Sequence, residues 1–170
     1  ATAAYYLPGM NAGVTYNFDM VPTVSGTLSL ASGPIPVTLA IYRVPFNCSG
    51  AKSVTVTVQY NIGGSFVNIG SQTQTINVPS SGSVVQTYLF SGINSANTHV
   101  LNTGDFIRVS ITANTTRLCL VNEYPLGGTD ADTFLAIDVL ISRGVLAGSW
   151  HAVWVDLGDA IAAALDDAGI

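Results

Sequence analysis

The feature that most constrains the fold is a strict alternation of apolar and polar residues from Ser53 to Ile62. Valine, tyrosine and isoleucine occupy every second position of this run, and serine, threonine, glutamine and asparagine occupy the positions between them. Successive side chains of a β-strand point to opposite faces of the sheet. The run therefore predicts a strand with one buried face and one solvated face.

Further alternating segments are separated by residues that favour turns. The triplet Gly63-Gly64-Ser65 predicts a hairpin leading into a second alternation over residues 66–78. Pro, Gly, Ser and Asn are concentrated between the other predicted strands. These strands are at residues 12–18, 24–30, 36–43, 84–90, 106–112, 117–122 and 133–141. The predicted fold class is all-β, with no helix before residue 142.

Short alternating strands joined by frequent turns favour an antiparallel two-sheet β-sandwich of the jelly-roll type, whose inward faces share one core. A closed β-barrel is the alternative. The core residues predicted by the alternation are Leu28, Leu30, Val37, Leu39, Ile41, Val54, Val56, Val58, Tyr60, Val85, Leu89, Phe106, Ile107, Val109, Ile111, Leu118, Leu120, Phe134, Leu135, Ile137 and Val139.

Three regions are predicted: an N-terminal extension over residues 1–20, a sandwich domain over 21–142 and a C-terminal extension over 143–170. From Trp150 onward the chain lacks Ser, Thr, Asn and Pro, and its apolar residues follow helical spacing. With Asp156 as N-cap, this spacing predicts a helix over residues 157–168. So short a helix is marginal alone in water, so we expect it to dock on its own sandwich or on a neighbouring subunit.

The low charge of the chain excludes several classes of partner. Its 170 residues include 5 basic and 10 acidic residues, a net charge of −5, and only 9% are charged, whereas soluble domains usually carry about 25%. The few basic residues form no cluster, which excludes nucleic acid as the main partner. No apolar run approaches the roughly 20 residues that span a bilayer, so no membrane span is expected.

The cysteines and the start of the chain favour an exported protein. Cys48 and Cys119 lie 71 positions apart, a spacing that suits no metal site, and in an exported protein they are expected to form a disulfide. Two separate buried thiols are the alternative. A start at Ala1 without Met is typical of a chain whose signal peptide has been removed, or of a trimmed chain. Two Asn-x-Ser/Thr triplets predict glycosylation at Asn47 and Asn114.

Searching for catalytic motifs finds none. His99 and His151 do not follow metal-binding spacings, and the sequence has neither a nucleophile elbow nor a phosphate-binding glycine loop, so we predict no enzyme and no cofactor. One turn-rich stretch holds Asp130 and Asp132, with Glu123 upstream. We expect these carboxylates to be solvated loop acids, with a structural calcium site as the alternative.

Apolar and aromatic residues at both ends are candidates for self-assembly. The N-terminal set is Tyr5, Tyr6, Leu7, Val14, Tyr16 and Phe18, and the C-terminal set is Trp150, Trp154, Leu157, Ile161 and Leu165. Because Pro22 favours an extended residue before it, residues 5–18 are predicted to project and complete the sheet of an adjacent subunit. The alternative is the first strand of their own sandwich. Trp150 and Trp154 would share a face, which suits either a subunit seam or a platform for sugar rings.

A family resemblance supports an exterior role. With its Gly63-Gly64 hairpin and the run Leu101-Asn-Thr-Gly104-Asp105-Phe-Ile-Arg-Val-Ser110, the stretch from Val24 to Ile141 resembles the jelly-roll domains of secreted microbial surface proteins. These include the C-terminal domains of collagen-like spore-surface glycoproteins, tumour-necrosis-factor-like trimers and β-sandwich subunits of extracellular pili. The resemblance implies an adhesive or self-assembling protein and carries over no ligand residues.

The sequence thus predicts a structural subunit of an extracellular homopolymer at the cell surface, such as a pilus, thread or surface coat. Strand addition and contacts of the terminal extensions would join the subunits. One alternative is a carbohydrate-binding or adhesive module that binds cell-surface glycans through Trp150, Trp154 or a calcium loop. The other is a virion structural protein.

Overall fold

A computed structural model describes residues 9–20, 23–44, 46–121, 155–156, 161, 163, 164 and 167. This part of the chain is mostly β-strand, which confirms the all-β class. Its strands are β1 (Thr15–Asp19), β2 (Thr27–Leu30), β3 (Gly33–Pro34), β4 (Val37–Tyr42), β5 (Gly50–Ile62), β6 (Ser65–Val78), β7 (Val85–Phe90), β8 (Asn94–Ser95), β9 (His99–Asn102), β10 (Phe106–Ala113) and β11 (Val155–Asp156). A short 3-10 helix spans Phe46–Cys48.

The strands pair in antiparallel sheets. The largest has the order β1-β10-β5-β6, and a three-stranded sheet has the order β11-β4-β7. Two strand pairs, β2 with β9 and β3 with β8, complete the described sheets. The strictly alternating run lies in β5, at the interior of the largest sheet, where both of its edges are hydrogen-bonded.

One hydrophobic core joins these sheets. The inward residues of β5, from Val54 to Tyr60, are at most 1% exposed, and they cluster with inward residues of β4 and β10. Burial of these aliphatic side chains is the main favourable contribution to folding. The shared core is consistent with a sandwich, although the two-sheet jelly-roll arrangement itself stays a prediction.

Residues 117–121 of the predicted strand at 117–122 do not form a regular strand. The backbones of Leu118 and Met10 exchange hydrogen bonds of 3.0 and 2.7 Å, while the carbonyl of Cys119 accepts a bond from Tyr42. Leu118 and Leu120 thus form isolated bridges to different partners. Because the segment changes partner within two residues, no continuous ladder forms. Conversely, the segment between the predicted strands at 84–90 and 106–112 contains the short strands β8 and β9.

The core prediction was wrong at Leu89, which is 53% exposed, while Val85 and Phe106 are half-buried and only border the core clusters. In β7, Phe90 lies opposite Val37 and Tyr88 lies opposite Leu39, both buried residues of β4, so even-numbered residues face the core. Leu89 therefore faces away from it. The polar Gln86 on the inward face conceals this register in the sequence. Of the predicted core, residues 134–139 lie outside the described part of the chain.

Residues 15–19 belong to the main sheet. β1 pairs with β10 along its whole length, and Phe18 is buried in the shared core. The predicted boundary at residue 20 therefore does not separate an extension from the domain: its last residues are an edge strand.

A disulfide joins Cys48 to Cys119, as the sequence predicts for an exported chain. It lies in a second small cluster with Ala40, Tyr42 and Val121. Nearby, the ammonium of the buried residue Lys52 donates hydrogen bonds to the carbonyls of Asn47 at 3.2 Å and Thr116 at 2.9 Å. Burial lowers the pKa of Lys52, because desolvation disfavours the charged form.

The Asp105 carboxylate accepts hydrogen bonds from two turns at one end of the main sheet. Its Oδ1 accepts a hydrogen bond from the amide of Gly63 at 3.0 Å, in the β5–β6 hairpin, and its Oδ2 accepts one from the amide of Asn102 at 2.8 Å. Asp105 as a whole is 6% exposed. Its place after Gly104 is thus explained by a structural role.

We expect Asp105→Ala to lower the free energy of unfolding by about 1–3 kcal/mol, since it leaves two amides without their acceptor. Asp105→Asn, which keeps one carbonyl oxygen, should cost less. Urea unfolding measures both, with Asp167→Asn as the control because Asp167 is exposed. An Asp105→Ala value equal to the control would contradict this role.

The C-terminal tail contributes to the same core. β11 pairs with β4, and Ile161 is 5% exposed within the main cluster, with Ala164 packed against it. Residues 161, 163, 164 and 167 are helical, and the complete helix at 157–168 stays a prediction. Ile161, a predicted self-assembly residue, is thus a core residue of its own chain.

We expect Ile161→Ala to destabilise the monomer by about 2–4 kcal/mol, since deletion of buried methyl groups removes contacts and leaves a cavity. Urea unfolding measures the change, and Ala163→Ser provides a control at an exposed position on the same segment. Equal unfolding midpoints for the two variants would mean that the tail packs elsewhere.

Candidate functional site: two open strand edges

The outer edge of β1 carries backbone groups that have no partner among the described residues. Met20 donates its amide hydrogen to Ile107 at 2.8 Å, and Val14 accepts one from Ala113 at 3.0 Å. Even-numbered residues therefore bond toward β10. Since bonding alternates along an antiparallel pair, the odd-numbered residues of β1 direct their N–H and C=O groups away from the sheet.

The opposite edge, β6, has the same property. Asn114 donates its amide hydrogen to Ser53 at 2.9 Å, so odd-numbered residues of β5 bond to β10 and even-numbered ones bond to β6. Their partners in β6 between Gly70 and Val78 are even-numbered as well. Ser71, Thr73 and Thr75 therefore direct their backbone groups outward.

Two features limit the open part of the β6 edge. Tyr88 donates its hydroxyl to the carbonyl of Asn77 at 3.0 Å, which occupies one outward acceptor. The register shift opposite Val58 and Gln59 leaves Ile69 as an extra residue, a β-bulge that interrupts the ladder. The open stretch is therefore residues 71–75.

Within the described part of the chain, neither edge strand carries strong protection against pairing in its own sequence. Natural sheets block their edges with charged residues, prolines or covering segments. β6 contains neither a charged residue nor a proline, and the single charged residue of β1 is Asp19. Both strands are therefore chemically suited to accept another strand.

Hydroxyl groups form rows across the outward face of this sheet. Cross-strand hydrogen bonds join Thr15 to Thr112 at 2.7 Å, Thr55 to Thr73 at 2.7 Å and Thr57 to Ser71 at 3.0 Å. The strand registers align Thr15, Thr112, Thr55 and Thr73 in one row and Asn17, Ser110, Thr57 and Ser71 in the next. These rows are uncharged and bond partly within themselves.

The only ion pair of the described residues lies at one end of this face. Arg108 donates to Asp19 through Nε at 2.6 Å and Nη2 at 2.9 Å, and its Cζ lies 4.2 Å from the centre of the Phe66 ring. Phe106 meets Phe66 edge to face. The hydrogen bond with Asp19 raises the pKa of Arg108, outweighing the opposite effect of burial. The pair thus neutralises the charge of the β1 edge.

The predicted N-terminal assembly residues have different positions. Phe18 is buried, and Val14 and Tyr16 pack against the core of their own chain. The aromatic rings of Tyr16 and Phe18 meet edge to face at 6.3 Å. Tyr5, Tyr6 and Leu7 lie outside the described residues. Residues 15–18 therefore form a strand of their own sheet, the alternative to donation.

Most of the other predicted site residues lie outside the described part of the chain. These are Trp150, Trp154, Leu157 and Leu165 of the tail, and the calcium candidates Glu123, Asp130 and Asp132. Within the described ranges, no group of His, Cys, Asp or Glu residues has an arrangement that could hold a metal ion. The calcium site is thus untested.

The two glycosylation candidates differ in their surroundings. Asn47 is exposed in the 3-10 helix, immediately before the buried Cys48. The side-chain amide nitrogen of Asn114 donates to Ser53 at 3.3 Å and to Thr55 at 2.9 Å, so attachment of a glycan there would compete with bonds to the sheet. Asn47 is the freer acceptor.

Sequence reasoning missed the Asp19–Arg108–Phe66 cluster. A weak signal existed, because Arg108 is a lone charge on the polar face of an alternating strand. Its partners come from strands distant in sequence, and only the strand order brings them together.

No protein-family model and no curated protein match this sequence. The described part of the chain contains no helix that is long and apolar enough to cross a membrane.

Proposed function

We propose that this protein is a structural subunit of an extracellular homopolymer, such as a pilus, thread or surface coat, and that its subunits join by strand addition. The observation that carries the proposal is the four-stranded sheet, which among the described residues ends on two strands with outward backbone groups and few charged residues or prolines. The role of the terminal extensions is revised, because β1 and Ile161 belong to their own domain.

Strand addition suits these edges physically. An incoming strand satisfies the outward N–H and C=O groups with main-chain hydrogen bonds, which supply affinity largely independent of side-chain identity. A monomeric protein with such edges risks uncontrolled pairing. In a subunit that assembles, the same unpaired backbone groups form the hydrogen bonds to the next subunit.

The proposed exterior location is supported by the Cys48–Cys119 disulfide. Disulfides persist in oxidising compartments and are rare in the cytosol. The hydroxyl-rich face and the exposed Asn47 of one glycosylation triplet agree with a surface location. The fold proposed for this subunit is a two-sheet jelly roll with a C-terminal helix over residues 157–168 that docks on its own domain.

A second candidate function is a carbohydrate-binding or adhesive module. The observation that favours it is Phe66, 43% exposed beside Arg108 on a neutral polar face. An aromatic side chain bordered by hydrogen-bonding groups suits a sugar ring. On this reading the site lies on the sheet rather than at the predicted tryptophans.

The disulfide provides a first test of the exterior assignment. Native protein alkylated under denaturing, non-reducing conditions should show no mass increase, whereas reduction should expose two alkylatable thiols. Two thiols that react without reduction in native material would count against export.

The chain-entropy model predicts that Cys48→Ala with Cys119→Ala costs about 4 kcal/mol of unfolding free energy, because the oxidised chain has a smaller unfolded ensemble.

Negative-stain microscopy and sedimentation of native material test the assembly itself. We expect polymers that grow with protein concentration and that sediment well above the mass of a monomer. Glycan-array binding by a monodisperse, non-polymerising monomer would instead support the adhesive module. A monodisperse monomer at all concentrations would refute the assembly proposal.

A further inference from the structure

We infer that β1 of one copy pairs with β6 of the next, with Thr15, Asn17 and Asp19 opposite Thr75, Thr73 and Ser71. This inference rests on the proposed function and specifies the partner as a second copy of this chain. It defines a head-to-tail contact through which the four-stranded sheet continues from one subunit into the next.

The directions of the two edge strands agree with this contact. In the order β1-β10-β5-β6 every neighbour is antiparallel, so β1 and β6 run in opposite directions. A second copy placed beside the first, in the same orientation apart from sheet twist, therefore brings its β6 antiparallel to β1. An odd number of strands would have produced a parallel contact.

The residues that direct their backbone groups outward also match between β1 and β6. Both edges direct outward the backbone groups of residues whose side chains lie on the polar face. In an antiparallel bonded pair, opposed residues have their side chains on the same face. The contact therefore keeps the polar face of one subunit continuous with that of the next.

The register follows from the two limits on the β6 edge. A shift of two residues in one direction would place Thr15 opposite Asn77, whose carbonyl already accepts the Tyr88 hydroxyl. The opposite shift would place Asp19 opposite the bulged Ile69. A shift of one residue would break the bonding phase and reverse the faces. Only the proposed register uses three outward residues of each strand.

No charge repulsion arises between the two strands in this register. Asp19 is already paired with Arg108, and the three facing residues of β6 are Ser and Thr. No like charges meet across the contact. Because the contact joins two different edges, each subunit retains one free edge, and repetition without ring closure produces an open filament.

Two proline variants test the contact by complementation. Asn17→Pro and Thr73→Pro each remove an outward amide and leave the backbone ladder within the subunit intact, since edge strands accept proline where the N–H faces solvent. Each variant loses one exposed side-chain hydrogen bond, from Ser110 to Asn17 or between Thr55 and Thr73. We expect each variant alone to be monomeric by sedimentation velocity. Their mixture should form a 1:1 dimer, because the intact β6 of one variant meets the intact β1 of the other.

Gln74→Pro is the matched control, because residue 74 bonds inward to β5. It should lower the urea midpoint much more than Asn17→Pro and Thr73→Pro, which retain the backbone ladder and lose one exposed side-chain hydrogen bond each. Should either outward variant fail to fold, Asn17→Cys and Thr73→Cys replace the prolines. Opposed residues lie about 5.5 Å apart between Cα atoms, within disulfide range, so mixed chains should cross-link 17 to 73 in preference to 17 to 17 or 73 to 73.

The outcomes separate this inference from the proposed function. Homodimers of either proline variant, or cross-links between identical positions, would show symmetric edge pairing and overturn the head-to-tail contact. Wild-type-like polymers of both folded variants would overturn the contact while leaving polymer formation intact. Folded variants whose mixture remains monomeric, from a wild type that polymerises, would also overturn it. A wild-type protein that never polymerises would refute both proposals.

Discussion

The hydrogen-bonded ladder of β5 is the constraint on which the rest of the structure depends. Its odd-numbered residues bond to β10 and its even-numbered residues bond to β6. This alternation determines, for every strand of the four-stranded sheet, which residues bond to which neighbour. The same alternation directs Val54, Val56 and Val58 into the core. One strand thus determines which side chains are buried and which backbone groups of the edge strands have no partner among the described residues.

Sequence reasoning succeeded where information is local. The alternation at Ser53–Ile62 predicted a strand and its buried face, and the Gly63-Gly64 pair predicted the hairpin, because both signals depend only on neighbouring residues. It failed at Leu89, where Gln86 on the inward face obscured the register. It also assigned Phe18 to assembly, since an apolar alternating strand reads the same whether it pairs in its own sheet or in another subunit.

The candidate site was harder to predict because an edge is a property of strand order. Nothing within the segment Ser65–Val78 says whether a neighbour lies on its far side. The partners of Arg108 illustrate the same limit: Asp19 lies 89 residues away in sequence, and the contact exists only because β1 lies beside β10. Local patterns identify faces, whereas edges require the topology.

The low charge of the chain links the polar face to the proposed assembly. Threonine and serine keep the outer face of β5 and β6 solvated without charge, and their hydroxyls bond across the strands. Lysine or glutamate would solvate the face equally well, but would also repel a second copy along an edge. A sheet that uses hydroxyls in place of charges therefore remains hydrated while its edges stay open to pairing. In this chain the choice of polar residue, more than the arrangement of apolar ones, agrees with the proposed self-association.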